Sequence, residues 1–354
     1  MTLRFVLKSP FGETVARDVV DGRWAEPGGD ADDTIGEGMW ALPGLVDAHA
    51  HLAAAELDYK PGNLEGATAR AAESLRAGVT LVLDKGWTDD VAIRLIEEVP
   101  ESDRPEIEAA ARIIASVEGY FPGFATEVEA PALQAAVREQ AAAGRGWVKL
   151  IGDWPRRGVG PMANFSETEL AGAVAVAEEA GARVAIHTMA RDVPSMAVAA
   201  GVHSIEHGLF LEESDIGALA ARGGMWVPTV TRCEATLAQL GETSSGGKLF
   251  VEGLDRIRRL LPLAAEAGVH VLAGTDLVGS PADVAGEALR LSDYGLSNTQ
   301  VVTAVSVGAF AATGHPQPFS VGSPADAVFF EADPIAELGA LASPRHVVRL
   351  GRVL

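Results

Sequence analysis

Between residues 45 and 276, eight short apolar runs alternate with longer Ala- and Glu-rich segments. The runs lie at 44–49, 79–84, 107–115, 147–152, 183–188, 203–207, 225–230 and 270–276. Continuous short apolar runs suit strands buried on both faces of a parallel sheet. The intervening segments carry helical spacing, for example over 64–77 and 170–180. Strand–helix alternation repeated eight times predicts an α/β fold, a (β/α)8 TIM-like barrel. A chain of 354 residues holds such a barrel, of about 250 residues, plus a minor second unit.

The joints agree with this reading. Ser166 with Glu169, and Ser297 with Gln300, have the spacing of capping boxes at helix starts. Ala77-Gly78, Ala180-Gly181, Ala200-Gly201 and Ala267-Gly268 lead from helix to strand, where glycine suits the left-handed stop. The ends of the chain differ. Residues 1–40 are turn-rich, and residues 318–354 read as short strands broken by Pro and Gly. Neither end buries a core alone. Together, 1–40 plus 318–354 are expected to form a small β-sandwich domain beside a metal-binding catalytic barrel over 41–317.

The net charge of −21 repels nucleic-acid backbones and anionic membrane surfaces, so neither is an expected partner. No apolar run approaches the ~18 residues of a membrane span, and the first residues lack the apolar core of a signal peptide. The single cysteine, Cys233, forms no intrachain disulfide, which fits a cytoplasmic protein.

The chemistry lies at the strand ends. His49 and His51 are two residues apart at the end of the first run, so both face one side. That end of a barrel strand is where active sites sit. His187 closes the fifth run, His207 the sixth and Asp276 the eighth. Neutral imidazoles and a carboxylate at one level suit a shared divalent metal. Lys149 lies inside the fourth run, where it either reaches solvent, pairs with an acid such as Asp153, or enters the site in modified form. As an ammonium it has no lone pair for a metal. Glu206 is expected to point away from its neighbour His207. His203 and His270 begin their runs, and His315 and His346 lie in later segments, so all four are expected to be structural.

Residues Pro43 to His51, then Lys149, His187, the Ser204–His207 stretch with Gly208, and Gly274-Thr275-Asp276 resemble the amidohydrolase superfamily. The likeness is greatest to its imidazolonepropionase-related and metal-dependent prolidase-like branch. The tail from Gly322 to Val353 is similar as well. The resemblance implies a binuclear centre of two divalent ions, most often zinc. His49, His51 and Asp276 would hold one ion and His187 and His207 the other, with Lys149 bridging them as a carbamate. It also implies hydrolysis of a C–N bond (amide, peptide or lactam) in a small molecule by attack of a metal-bound hydroxide. Asp276 would then move the proton. Relatives of this kind are often homo-oligomers.

Substrate contacts are expected from the loops after the strands: Tyr120, Arg156 with Arg157, Arg191 and Arg232, since an arginine can clamp a carboxylate. Trp87 and Trp154 either wall an apolar pocket or pack the core. The second reading is a mononuclear deaminase or a cyclic-imide or lactone hydrolase on the same fold. The third is a metal-binding scaffold without activity, for which Asp276 would be superfluous beside four histidines.

Overall fold

The computed structural model describes residues 3–54, 60–156 and 159–354, with the backbone alone at 281. Arg157 lies outside the described residues. The chain opens with five short strands: β1 (Leu3–Lys8), β2 (Thr14–Val20), β3 (Arg23–Ala25), β4 (Asp33–Ile35) and β5 (Trp40–Leu42). The first four form one sheet in the order β3-β2-β1-β4.

The central segment supplies the parallel strands. They are β6 (Leu45–Ala50), β7 (Val79–Asp84), β8 (Glu106–Ala109), β9 (Ile114–Ser116), β10 (Thr126–Val128), β11 (Trp147–Ile151), β14 (Arg183–Thr188), β15 (Ser204–His207), β16 (Met225–Val227) and β17 (His270–Val271). Between β11 and β14 stands an antiparallel hairpin, β12 (Asp153–Arg156) with β13 (Gly160–Ala163). Strands β6-β7-β8 pair in parallel, and β10-β9-β11-β14-β15-β16-β17 form a seven-stranded parallel sheet. The architecture is a mixed α/β fold. Beyond the ladders, Ala109 bridges Gly146 in parallel between the two sheets. At the other margin, Ala48 N donates to Ala273 O at 2.8 Å and Asp276 N to His49 O at 2.8 Å.

The helices follow their sequence signals. Leu64–Arg76 buries Ala67, Ala71 and Leu75, four residues apart on one face. Glu167–Glu179 buries Leu170, Ala173, Val174 and Ala177 and starts with the capping box of Ser166 and Glu169. Ser297 and Gln300 form the second expected box. Three expected strands are shorter or broken. The run 107–115 divides into β8 and β9, with Arg112 between them bridging Trp87 instead. The run 225–230 stops at Val227, because Thr229 adopts φ 45° and a helix begins at Val230. The run 270–276 keeps regular pairing only over His270–Val271.

The chain ends with β18 (Ala327–Phe330), β19 (His346–Arg349) and β20 (Arg352–Val353), in the sheet order β20-β19-β18-β5. Both small sheets contribute to one apolar cluster, including Phe5, Leu7 and Trp24 from one and Ala41, Phe329 and Val348 from the other. The Phe5 and Trp24 rings meet edge-on at 5.3 Å. No helix of the described residues is long and apolar enough to cross a membrane.

Candidate metal centre

His49 lies in β6 and His51 just beyond its end. The β6–β7 pairing slips between Asp47 and Ala50, so an irregularity falls across His49. Such a slip re-aims a side chain without ending the strand. Asp47, fully buried, ties this stretch to the last parallel segment. Its carboxylate accepts from Thr275 Oγ1 at 2.6 Å, Thr275 N at 3.1 Å and His49 N at 3.0 Å. Gly274 is needed for this closeness: a Cβ there would stand 2.6 Å from His49 Cβ. The result brings His49 Nε2 to 3.5 Å and His51 Nε2 to 3.4 Å from Asp276 Oδ1. His49, His51 and Asp276 offer ligand atoms all within 4.8 Å of one another.

His187 and His207 stand at the ends of β14 and β15. Their rings face one another, with His187 Nδ1 3.0 Å from His207 Nε2. The His207 ring centroid is 5.4 Å from that of His49, and its Nδ1 is 4.0 Å from Asp276 Oδ2. All five groups therefore occupy one end of the parallel strands. Lys149 in β11 is 2 % exposed, and its Nζ has no hydrogen-bond partner among the described residues. The alternative pairing with Asp153 is not made. Asp153 accepts from Met189 N at 2.8 Å instead.

The expectation for Glu206 is overturned. Glu206 is fully buried, and its Oε2 lies 2.6 Å from His49 Nδ1. His207 adopts φ 64°, which breaks strand alternation, so neighbouring residues of β15 both reach the histidines. Lys85, just past β7, is the second residue that sequence reasoning misses. It too is fully buried, with Nζ 3.4 Å from Glu206 Oε1. Its signal is a lysine directly following an apolar strand, close to the signal that marks Lys149.

Part of the backbone strain lies here. Among the described residues, the non-glycine positions with positive φ include His207, Thr229, Asp276 and Leu277. Such conformations persist where surrounding structure enforces them, and they cluster at functional sites.

The electrostatics favour free lone pairs. Burial, helped by the Lys149 charge, pushes His49 down to about 4. Burial takes His207 to about 3 and His187 well below the ordinary range. These rings are neutral at pH 7, the form that binds metal. Burial alone would raise Asp276, but His49, His51 and His207 outweigh it and hold the carboxyl well below the usual range. Burial lowers Lys149 to about 8, against the pull of Glu206.

An aromatic wall flanks the cluster. Trp87 lies 5.3 Å from the His51 ring and 4.6 Å from Phe124. Tyr120 packs at 4.6 Å on Trp154, and each is within 6.4 Å of His187. Arg232 is buried, and its Nε donates to Asp276 O at 2.6 Å. Arg156 donates to Ser116 Oγ and Asn164 Oδ1. Arg191 is committed to Glu252 through two contacts of 2.5 Å. It lines a separate depression of about 400 Å³ that shares no lining residue with the histidine cluster.

The model of the amidohydrolase family matches residues 40–354. The chain belongs to the amidohydrolase family. Uncharacterized proteins of Mycobacterium tuberculosis and Mycobacterium bovis are each 36% identical to this amidohydrolase over 349 residues, covering 94% of it and 90% of their own length. Among the solved structures that share the fold, three serve as examples. One is a Xaa-Pro dipeptidase with methionine bound in its active site, with TM-score 0.83, 20% identity and 100% of both chains covered. Another is a prolidase complexed with N-methylphosphonate-L-proline, with TM-score 0.84, 21% identity and coverage of 100% and 99%. The third is A. niger ochratoxinase, with TM-score 0.79, 19% identity and coverage of 99% and 95%.

Proposed function

We propose that this amidohydrolase is a metal-dependent hydrolase that cleaves a C–N bond of a small molecule at a binuclear centre. The carrying observation is Lys149: a buried amine without a hydrogen-bond partner among the described residues, whose charge acts on His49, His187 and His207. A buried ammonium beside four histidines is costly. Conversion to a carbamate removes that cost and supplies two ligand oxygens. The N–C bond to carbon dioxide forms from the neutral amine, and one proton leaves. His49, His51 and Asp276 would then hold one ion, His187 and His207 the second, with Lys149 shared. The donor set of imidazole and carboxylate fits zinc.

When bound, such ions would supply Lewis acidity and lower the pKa of a nearby water towards about 7. The rest falls to residues of the chain. Asp276, kept ionised by the histidines around it, takes the proton of the attacking water and returns it to the leaving nitrogen. Arg232 fixes Asp276 through its backbone carbonyl and directs charge towards the carboxylate, 3.8 Å from Oδ2. The wall of Trp87, Phe124, Tyr120 and Trp154 excludes water and packs an apolar substrate group. Arg232 is also the arginine best placed to meet a substrate carboxylate. Arg156 shapes the loop through Ser116 and Asn164. The arrangement suits a dipeptide or N-acyl amino acid, and the prolidase-like folds above agree with that class.

The scaffold we infer is a closed (β/α)8 barrel over 41–317. The Ala109–Gly146 bridge and the bonds from Ala48 and Asp276 support closure. The two small sheets form the second domain.

The test is hydrolysis by the zinc-loaded protein of a panel of X-Pro dipeptides, N-acyl amino acids and lactones, beside Asp276→Asn. The expected outcome is turnover of at least one amide class, lowered at least ~100-fold in the variant. Rates at the buffer level for both proteins would favour the scaffold reading.

A further inference from the structure

We propose that Glu206, anchored by Lys85, is a positioning residue that fixes the His49 ring so that Nδ1 carries the proton and Nε2 is free on the Asp276 side. The inference rests on the metal reading above for its consequence, but its geometry stands on the protein alone.

Three of the histidines have an oxygen against Nδ1. His51 Nδ1 donates to Gly86 O at 2.6 Å. His207 Nδ1 donates to Thr229 Oγ1 at 2.6 Å, since that hydroxyl gives its own proton to Pro228 O at 2.8 Å. His49 Nδ1 lies 2.6 Å from Glu206 Oε2, a close charge contact whose angle falls short of a hydrogen bond. The two hydrogen bonds select the tautomer with Nδ1 protonated, and the Glu206 charge favours the same one at His49. A ligating imidazole is commonly oriented through its other nitrogen in this way. His49 alone of the three has a carboxylate against Nδ1, and that nearby negative charge favours a proton on the nitrogen facing it.

A buried carboxylate needs compensation. Glu206 Oε1 accepts from Ser204 Oγ at 2.6 Å and lies 3.4 Å from Lys85 Nζ. Lys85 in turn sits 4.2 Å over the Trp147 ring, a favourable seat for a cation. The lysine therefore holds the carboxylate in place from the far side. Lys85 and Lys149 thus have different tasks, although both are buried lysines in or just past parallel strands. Lys85 stands against a carboxylate. Neither Nζ makes a hydrogen bond among the described residues, but Lys85 has a salt bridge there and Lys149 has none among the described residues.

The first experiment needs no substitution. Histidine-ring 15N NMR of the metal-free full-length protein near neutral pH should show His49 with Nδ1 protonated and Nε2 bare. The opposite tautomer would overturn the proposal even if the protein binds no metal. The second compares the Glu206→Gln/Lys85→Met double variant, which removes both charges at similar volume. Zinc affinity, measured by chelator competition, should fall about 10–100-fold, and the His49 ring signals should shift towards a tautomer mixture. Wild-type affinity together with unchanged His49 signals in that variant would reduce Glu206 to a packing role. If the wild type binds no zinc, the metal reading fails, while the 15N measurement still judges the contact.

Discussion

The two ends of the same parallel strands are built on opposite rules. At their starting ends, charges meet complementary partners. His315 lies 3.2 Å from Glu106, Trp147 donates to Glu108 at 2.7 Å, and Arg349 contacts Asp326 at 2.5 Å. At their finishing ends, basic groups crowd together. Four histidines and two lysines share the acids Asp84, Asp276 and Glu206, and the Nζ atoms of Lys85 and Lys149 are left without a hydrogen bond among the described residues. Matched polar groups hold a structure together, whereas unmatched buried ones call for a ligand or a chemical role. Among the strained residues, His207, Thr229 and Asp276 lie at the finishing ends.

The contrast is broken most severely by Lys149→Ala. We expect loss of one metal per chain and a fall in activity of at least ~100-fold, partly restored by short carboxylic acids that replace the carbamate. Elemental analysis together with rates measured with and without added propionate checks this. Full metal content in the variant would return Lys149 to a structural role.

A smaller effect is expected at Arg232. Arg232→Met should raise KM by about 10–100-fold for substrates bearing a free carboxylate, the loss of one charge-assisted contact. Amidated analogues should change less. Equal losses on both would assign Arg232 to holding Asp276 alone.

Much of the finishing end is legible in the amino-acid sequence. His49, His51, His187, His207 and Asp276 announce themselves because each lies at the close of an apolar run, and strand geometry then carries them to one level. Glu206 does not. The ladder pairs it with His187 and sets it on one face with Ser204, so alternation already carries it inward, and the left-handed backbone at His207 turns the next side chain to the same side. Lys85 escapes notice because it lies one residue beyond its run. The third strand reads as continuous because Ala and Ile fill the bend between Ala109 and Ile114. The hairpin of β12 and β13 is hidden because Pro155 and Pro161 mask its pairing. Arg191 has the expected loop but finds Glu252 first, a preference that local sequence does not encode.

The starting ends yield the smallest effect. Burial alone would lower His315, but Glu106 and Glu108 outweigh it and raise the imidazole above its ordinary value. The ion pair therefore stabilises fully below the unfolded histidine pKa, and its contribution is lost as pH rises through the folded value. His315→Ala should lower Tm by about 1–3 °C at pH 6, and the gap should close by pH 9. Metal content should not change. A gap that widens with pH would reverse the assignment.

In the proposed centre, the finishing ends hold two metal ions that share Lys149. This is tested most directly by counting metal per chain in protein reconstituted with zinc and bicarbonate, then desalted. Close to two ions per chain are expected, with the mass of one carbamate in native mass spectrometry. One ion per chain and an unmodified Lys149 would contradict the shared centre and favour the mononuclear reading.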